Sequence, residues 1–180
     1  MGRGDAVNKK GVFGTRSLVT YALCLSAALA LSWFEGLLPP LIPVPGVRLG
    51  LNNIIVIYLL YMHGFLPAII VSLLHALLGS LLGGGVMALP YSVCGSMLSL
   101  CCMYALKRWA GDKLSAMGVS VAGAFAHNMG QLLAASLILG GFAVFSYAPL
   151  MTLASAPTGL FVGLCFRGIS RIRIIGGGKS

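Results

Sequence analysis

The chain has 180 residues, 58% of them hydrophobic and only 8% charged, with mean hydropathy +0.98. A soluble domain carries about 25% charged residues and needs them to cover its surface. A water-soluble globule is therefore excluded, and the solvent around most of this chain is lipid. At about 20 residues per membrane-crossing helix, the length holds six crossings with short loops and no separate soluble domain.

Charge is unevenly spread. Twelve Lys or Arg face only Asp5, Glu35 and Asp112, for a net charge of +9. The basic residues flank apolar runs, at Lys9, Lys10 and Arg16, at Lys107, Arg108 and Lys113, and at Arg167, Arg171 and Arg173. That is the pattern of cytoplasmic anchors beside membrane helices, not the clustered face of a nucleic-acid binder. The five cysteines (Cys24, Cys94, Cys101, Cys102, Cys165) lie inside apolar runs and form no CxxC pair. Neither a disulfide framework nor a zinc site is expected.

In chain order, residues 1–17 form a basic, cytoplasmic N-terminal segment. Six spans follow at 18–34, 49–62, 65–82, 87–106, 117–139 and 148–166, and 167–180 is a basic cytoplasmic tail. The fold class is all-α: a polytopic membrane protein with six transmembrane helices. A basic start and "ALA" at 28–30 give the first span the look of a signal peptide. Its apolar run continues to Phe34 and five more spans follow, so an uncleaved helix is predicted. The second span is short, and only His63-Gly64 separates it from the third; a single tilted helix over 49–82 is the alternative. Charge decides between them. Six spans place eleven of the twelve basic residues on one side and only Arg48 on the other, whereas five spans divide them eight to four. Both termini are then cytoplasmic.

The outer connections are "EGLLPPLIPVPGVR" (35–48), "GGGVMALP" (83–90) and "GGFAVFSYA" (140–148). The first is long and proline-rich, which favours a stiff extended segment, and such loops often serve as lids. The inner connections are the His63-Gly64 turn and "KRWAGDK". No internal repeat is present, so an inverted-repeat transporter is not supported.

Polar groups at membrane depth are costly, and each invites a functional reading. The strongest cluster is "GAFAHNMGQ" (123–131) in the fifth span. His127 and Gln131 are four apart on one helix face, and Asn128 is three from Gln131. Such residues either line a ligand site or clamp neighbouring helices by hydrogen bonds. His75 sits midway along the third span. Asn52 and Asn53 open the second span just after Arg48, with Glu35 at the same level. Arg48 either pairs with Glu35 or holds an anionic group of a solute. The candidate substrate-binding set is Arg48, Asn53, His75, His127, Asn128 and Gln131. Ala22, Ser26 and Ala30 recur every four residues along the first span, a spacing that lets another helix approach closely.

Catalytic readings fail. The terminal "GGGKS" lacks the earlier glycine of a phosphate-binding loop, because Arg173 stands there and no strand precedes it. No nucleophile elbow or HExxH motif occurs. Three acidic residues cannot make the clustered aspartates that bind magnesium diphosphates. No catalytic residue, metal site or cofactor is predicted.

The motifs "PGVRLGLNNIIVIYLLY", "GSLLGGG", "VSVAGAFAHNMGQLLAA" and "APLMTLASAPTGLFVGL" resemble, across nearly the whole chain, a bacterial family known under two names, Gx transporter and heptaprenyl diphosphate synthase component I. The resemblance is carried by Pro45, Gly46, Leu49, Gly50, Leu51 and Asn53, and by Gly123, Ala124, His127, Asn128, Gly130 and Gln131. It implies a bundle like the substrate-binding (S) components of energy-coupling-factor vitamin transporters, set in the bacterial cytoplasmic membrane. It also implies a small-molecule solute, flavin-like or a quinone precursor, bound near the outer face. The implied partners, besides the lipid bilayer, are a transmembrane coupling protein and its ATPases, met partly through small residues of the first helix; no nucleic acid is expected. Where the resemblance leads one to expect Arg in the third helix, this chain has His75. The synthase name implies instead a noncatalytic component of isoprenoid diphosphate or quinone synthesis, and a structural subunit is the third reading.

Overall fold

The computed structural model describes residues 14–37 and 50–176. The described residues form a bundle of six α-helices: α1 Thr15–Gly36, α2 Asn53–Met62, α3 Phe65–Gly79, α4 Ala88–Ala110, α5 Ala116–Leu139 and α6 Ala148–Gly176. Five of these stretches are long and apolar enough to cross a membrane, α3 together with the π-helical turn Ser80–Gly84 that extends it. The chain is a multi-pass membrane protein. Leu23, Trp33, Leu137 and Leu153 are each more than half exposed on its surface, as side chains solvated by lipid are.

The second span differs from its sequence expectation of 49–62. α2 has ten residues and rises about 15 Å, half the ~30 Å hydrocarbon thickness. It starts late because Gly50 turns the chain with φ +84°. It ends at His63-Gly64, where the N–H groups of both residues donate to Leu59 O and Gly64 has φ +94°. The alternative of one long helix over 49–82 is thereby excluded. At the end of α2, the Lys107 ammonium donates to Leu60 O at 2.9 Å and lies 4.5 Å above the Tyr61 ring. It serves as a basic cap on carbonyls that no further turn can satisfy.

Several connections are more ordered than sequence patterning suggests. α1 runs through Glu35 and Gly36, which the sequence reading assigned to a loop. Phe142–Tyr147 forms a 3₁₀ helix, and Ala88 to Pro90 belong to the first turn of α4. Ser115 caps α5 by accepting from the Gly118 N–H, and Gly140 ends it in the left-handed conformation. α6 continues through Gly176, well past the expected end of the span at 166.

Helices α4, α5 and α6 pack backbone to backbone. A Cβ on Gly130 would stand 2.5 Å from Cys94 O; one on Gly159 would stand 2.5 Å from Val121 Cα, and one on Gly163 2.8 Å from Met117 Cα. Close approach through small residues is how membrane helices gain packing when lipid offers no hydrophobic drive. α1 is attached more lightly. It buries only Cys24, Ala28, Ser32 and Glu35, one face at helical spacing. The bundle thus has a tight slab (α4–α6), with α2 and α3 set into a shared core against it and α1 laid more lightly outside. The buried polar residues lie at the seam where α1–α3 meet the slab.

Candidate functional site

The polar cluster is assembled from four helices and the turn that enters α2. Ten residues separate His75 from Phe65 at the start of α3, and ten separate Asn52 from the end of α2 at Met62. The antiparallel hairpin therefore brings the two side chains level, about 15 Å from the turn that joins the helices. Asn52 Nδ2 donates to His75 Nδ1 at 3.2 Å, and Ser32 Oγ of α1 lies 2.7 Å from His75 Nε2. With Nδ1 accepting, the neutral ring carries its proton on Nε2 and donates it to Ser32.

Glu35, one turn beyond Ser32, is buried. Its carboxylate accepts from Gly50 N at 2.9 Å and from Leu51 N at 3.1 Å. These amides lead into α2, so the acid compensates the positive end of that short helix and joins α1 to it. Gly50 is further fixed by lack of space. A Cβ there would stand 3.0 Å from His127 Cδ2 and 3.1 Å from Asn53 Nδ2.

Across the seam, Gln131 Nε2 donates to His127 Nε2 at 3.0 Å, one turn apart on α5. This places the ring proton on Nδ1, on the side of Gly95, where an added Cβ would come within 3.1 Å of that atom. Ser32, Glu35, Asn52, His75, His127 and Gln131 line one cavity of about 10 Å³, together with Gly50, Ser92 and Ser96. That is room for about one water molecule. Among the described residues, the lining contains no Lys or Arg.

Of the candidates named from sequence, His75, His127 and Gln131 meet in this cavity. Asn53 stands at its edge, with Oδ1 accepting from Ser99 Oγ at 3.4 Å. Asn128 does not meet it: its Nδ2 donates to Met151 O at 2.9 Å, tying α5 to α6. Arg48 lies outside the described residues. Sequence reasoning passed over Ser32, Ser92 and Ser96, and it treated Asn52 as only a neighbour of Asn53. Serine is common in membrane helices and carries no signal alone; the i, i+3 spacing of Ser32 and Glu35 was the available hint.

Two buried polar atoms of the cluster, Ser96 Oγ and Asn53 Nδ2, have no hydrogen-bond partner. Each costs about 1–3 kcal/mol in an apolar interior. Ser32 Oγ and His75 Nε2 are within hydrogen-bond reach, but with Asn52 donating to Nδ1 the ring proton sits on Nε2, so the imidazole donates to the hydroxyl instead of accepting from it. Among the described residues, no three His, Cys, Asp or Glu side chains converge as a metal site would require.

Comparison with curated proteins and with solved structures gave no match. The sequence profile of the family described as heptaprenyl diphosphate synthase component I matches residues 24–169, from the first helix to the last and across every residue of the cluster. The chain is a member of the heptaprenyl diphosphate synthase component I family.

Proposed function

We propose that this protein is the ligand-binding membrane subunit of a small-molecule uptake system. The observation that supports this best is the pair of unsatisfied atoms, Ser96 Oγ and Asn53 Nδ2, at a seam already lined by His75, His127 and Gln131. Ser72 Oγ, Ser120 Oγ and Asn128 Oδ1 are also without a partner elsewhere in the bundle, and what sets the pair at the seam apart is its place beside polar side chains that line a cavity. A site that receives a ligand keeps donors and acceptors in reserve. α1 is the most lightly packed helix, and a ligand enters by parting it from its neighbours.

In this reading the end bearing Lys107, Arg108, Lys113 and Arg167 faces the cytoplasm, and the cluster lies toward the opposite face. Accumulating a solute needs energy, which a coupling protein with ATPases supplies. Ala22 and Ser26 are exposed on α1 and available to meet that partner, and Ala30, also exposed, borders the groove between α1 and α3. The test is to purify the protein in mild detergent, denature it and identify released small molecules by mass spectrometry. A compound retained at near one per chain supports binding, and none retained argues against it.

The family description favours a second reading, a noncatalytic partner in prenyl diphosphate synthesis. With three acidic residues in the chain, metal-dependent chemistry would belong to its partner. Affinity capture from native membranes separates the two readings, since one expects ATPases and the other a soluble prenyl-transferring enzyme.

A further inference from the structure

Two cavities meet at Ser32. The polar one holds about 10 Å³. The second is a groove of about 590 Å³ between α1 and the end of α3, within the roughly 300–1,000 Å³ of ordinary small-molecule sites. Leu29, Ala30, Trp33 and Gly36 form its α1 wall, and Gly79 and Leu82 face them. Among the described residues Ser32 is the one hydroxyl on its lining, and it also lines the polar cavity. At Gly36 an added Cβ meets nothing within 4 Å, while at Gly79 it would stand 3.9 Å from both His75 Nε2 and Leu29 Cδ2. The glycine at 79 therefore opens the groove onto the imidazole.

Available volume decides the class of ligand. A wholly polar solute finds space for about one water beside His75, whereas an apolar body finds the whole groove. The geometry points to an amphiphilic ligand, with one apolar chain lying between α1 and α3 and a small uncharged, oxygen-bearing head at Ser32. Ser32 accepts from His75 Nε2, so its own O–H is available to donate to the head. An uncharged head is favoured because, among the described residues, neither cavity presents a Lys or Arg, and Glu35 is close by. Trp33 and Leu82, 70% and 73% exposed, stand at the mouth, so entry is sideways from the bilayer. A chain gains little by leaving lipid for protein, because both are apolar. The head supplies the selectivity and the groove fixes where the chain lies.

This inference rests on the reading of the protein as a ligand-binding subunit and names the class of ligand. Trp33 and Trp109 are the two tryptophans, so a Trp109→Phe protein reports from the groove alone. In lipid nanodiscs it is titrated with a long-chain alcohol brominated along its chain, and with the matching brominated alkane. The expected result is saturable quenching of Trp33 by the alcohol and only linear quenching by the alkane. Ser32→Ala should shift the alcohol's midpoint about threefold to tenfold, the worth of one hydrogen bond. Gly36→Phe, which fills the groove without touching the polar cluster, should abolish saturation. Equal quenching by alcohol and alkane, or saturation unchanged in Gly36→Phe, would overturn the inference. A water-soluble compound retained by the protein and not displaced by the alcohol would overturn it too, while leaving the binding-subunit reading standing.

Discussion

Ser32 and His75, 43 residues apart in sequence, are joined by a 2.7 Å contact between Oγ and Nε2. Through it α1 is fastened to α3 at the level where the two cavities adjoin. The ring is held from its other side by Asn52, so one imidazole ties together the first three helices.

Replacing His75 with Leu leaves both Ser32 and Asn52 without that partner in an apolar interior. Each stranded group costs about 1–3 kcal/mol, so the variant should melt well below the parent in the same detergent. His75→Gln, which keeps a donor and an acceptor, should recover part of the loss. An unchanged melting temperature in His75→Leu would show that the contact does not hold α1 in place.

The slab is expected to be far less forgiving. In Gly130→Ala the new methyl falls 2.5 Å from the Cys94 carbonyl and 2.9 Å from Gly95 Cα. These are backbone atoms that cannot rotate away. Overpacking of this kind costs about 1–3 kcal/mol or more, measurable as reduced thermal stability. Gly36→Ala, with open space around it, is the matched control and should be neutral.

Much of this was legible in the sequence, and for identifiable reasons. Six apolar runs gave six helices because the 3.6-residue repeat and the length of each run are local properties. The i, i+4 spacing of His127 and Gln131 placed them on one face, and they meet through a hydrogen bond. The hairpin at His63-Gly64 was legible from the distribution of charge. The partners of Asn128 and Asn52 were not, because which flank of a helix meets which neighbour depends on crossing geometry that a single sequence does not carry. Ser32 was hidden for the same reason. The late start of α2 depends on the positive φ of Gly50 and on Glu35 reaching the amides of Gly50 and Leu51, a tertiary contact that overrides an otherwise continuous apolar run.

Topology is tested with single cysteines in a cysteine-free background. A membrane-impermeant thiol reagent applied to intact cells should label position 145, in the 3₁₀ helix between α5 and α6, and leave position 109 unlabelled until the cells are opened. The reverse pattern would invert the bundle and remove the cluster from the outer half of the membrane.

The outward stripe on α1 calls for a different assay. Ser26 is exposed, and its hydroxyl donates to Ala22 O in its own helix, so Ser26→Leu disturbs nothing inside the bundle. If the stripe meets a partner helix, Ser26→Leu should lose uptake and co-purification with the coupling protein while stability and ligand retention stay at parent values. Intact uptake would remove the stripe from the interface.

The most direct measurement of the central claim is ligand retention compared across matched variants. Parent, Gln131→Leu and Asn128→Ala proteins are purified identically, their melting curves recorded, and released small molecules quantified by mass spectrometry. The account predicts a compound near one per chain in the parent and a loss of about tenfold or more in Gln131→Leu, the worth of a desolvated hydrogen bond. Asn128→Ala, whose side chain meets α6 instead of the cavity, should lose stability and keep the ligand. No retained compound in the parent, together with Gln131→Leu and Asn128→Ala losing stability alike, would contradict the account and leave the cluster as an interhelical clamp.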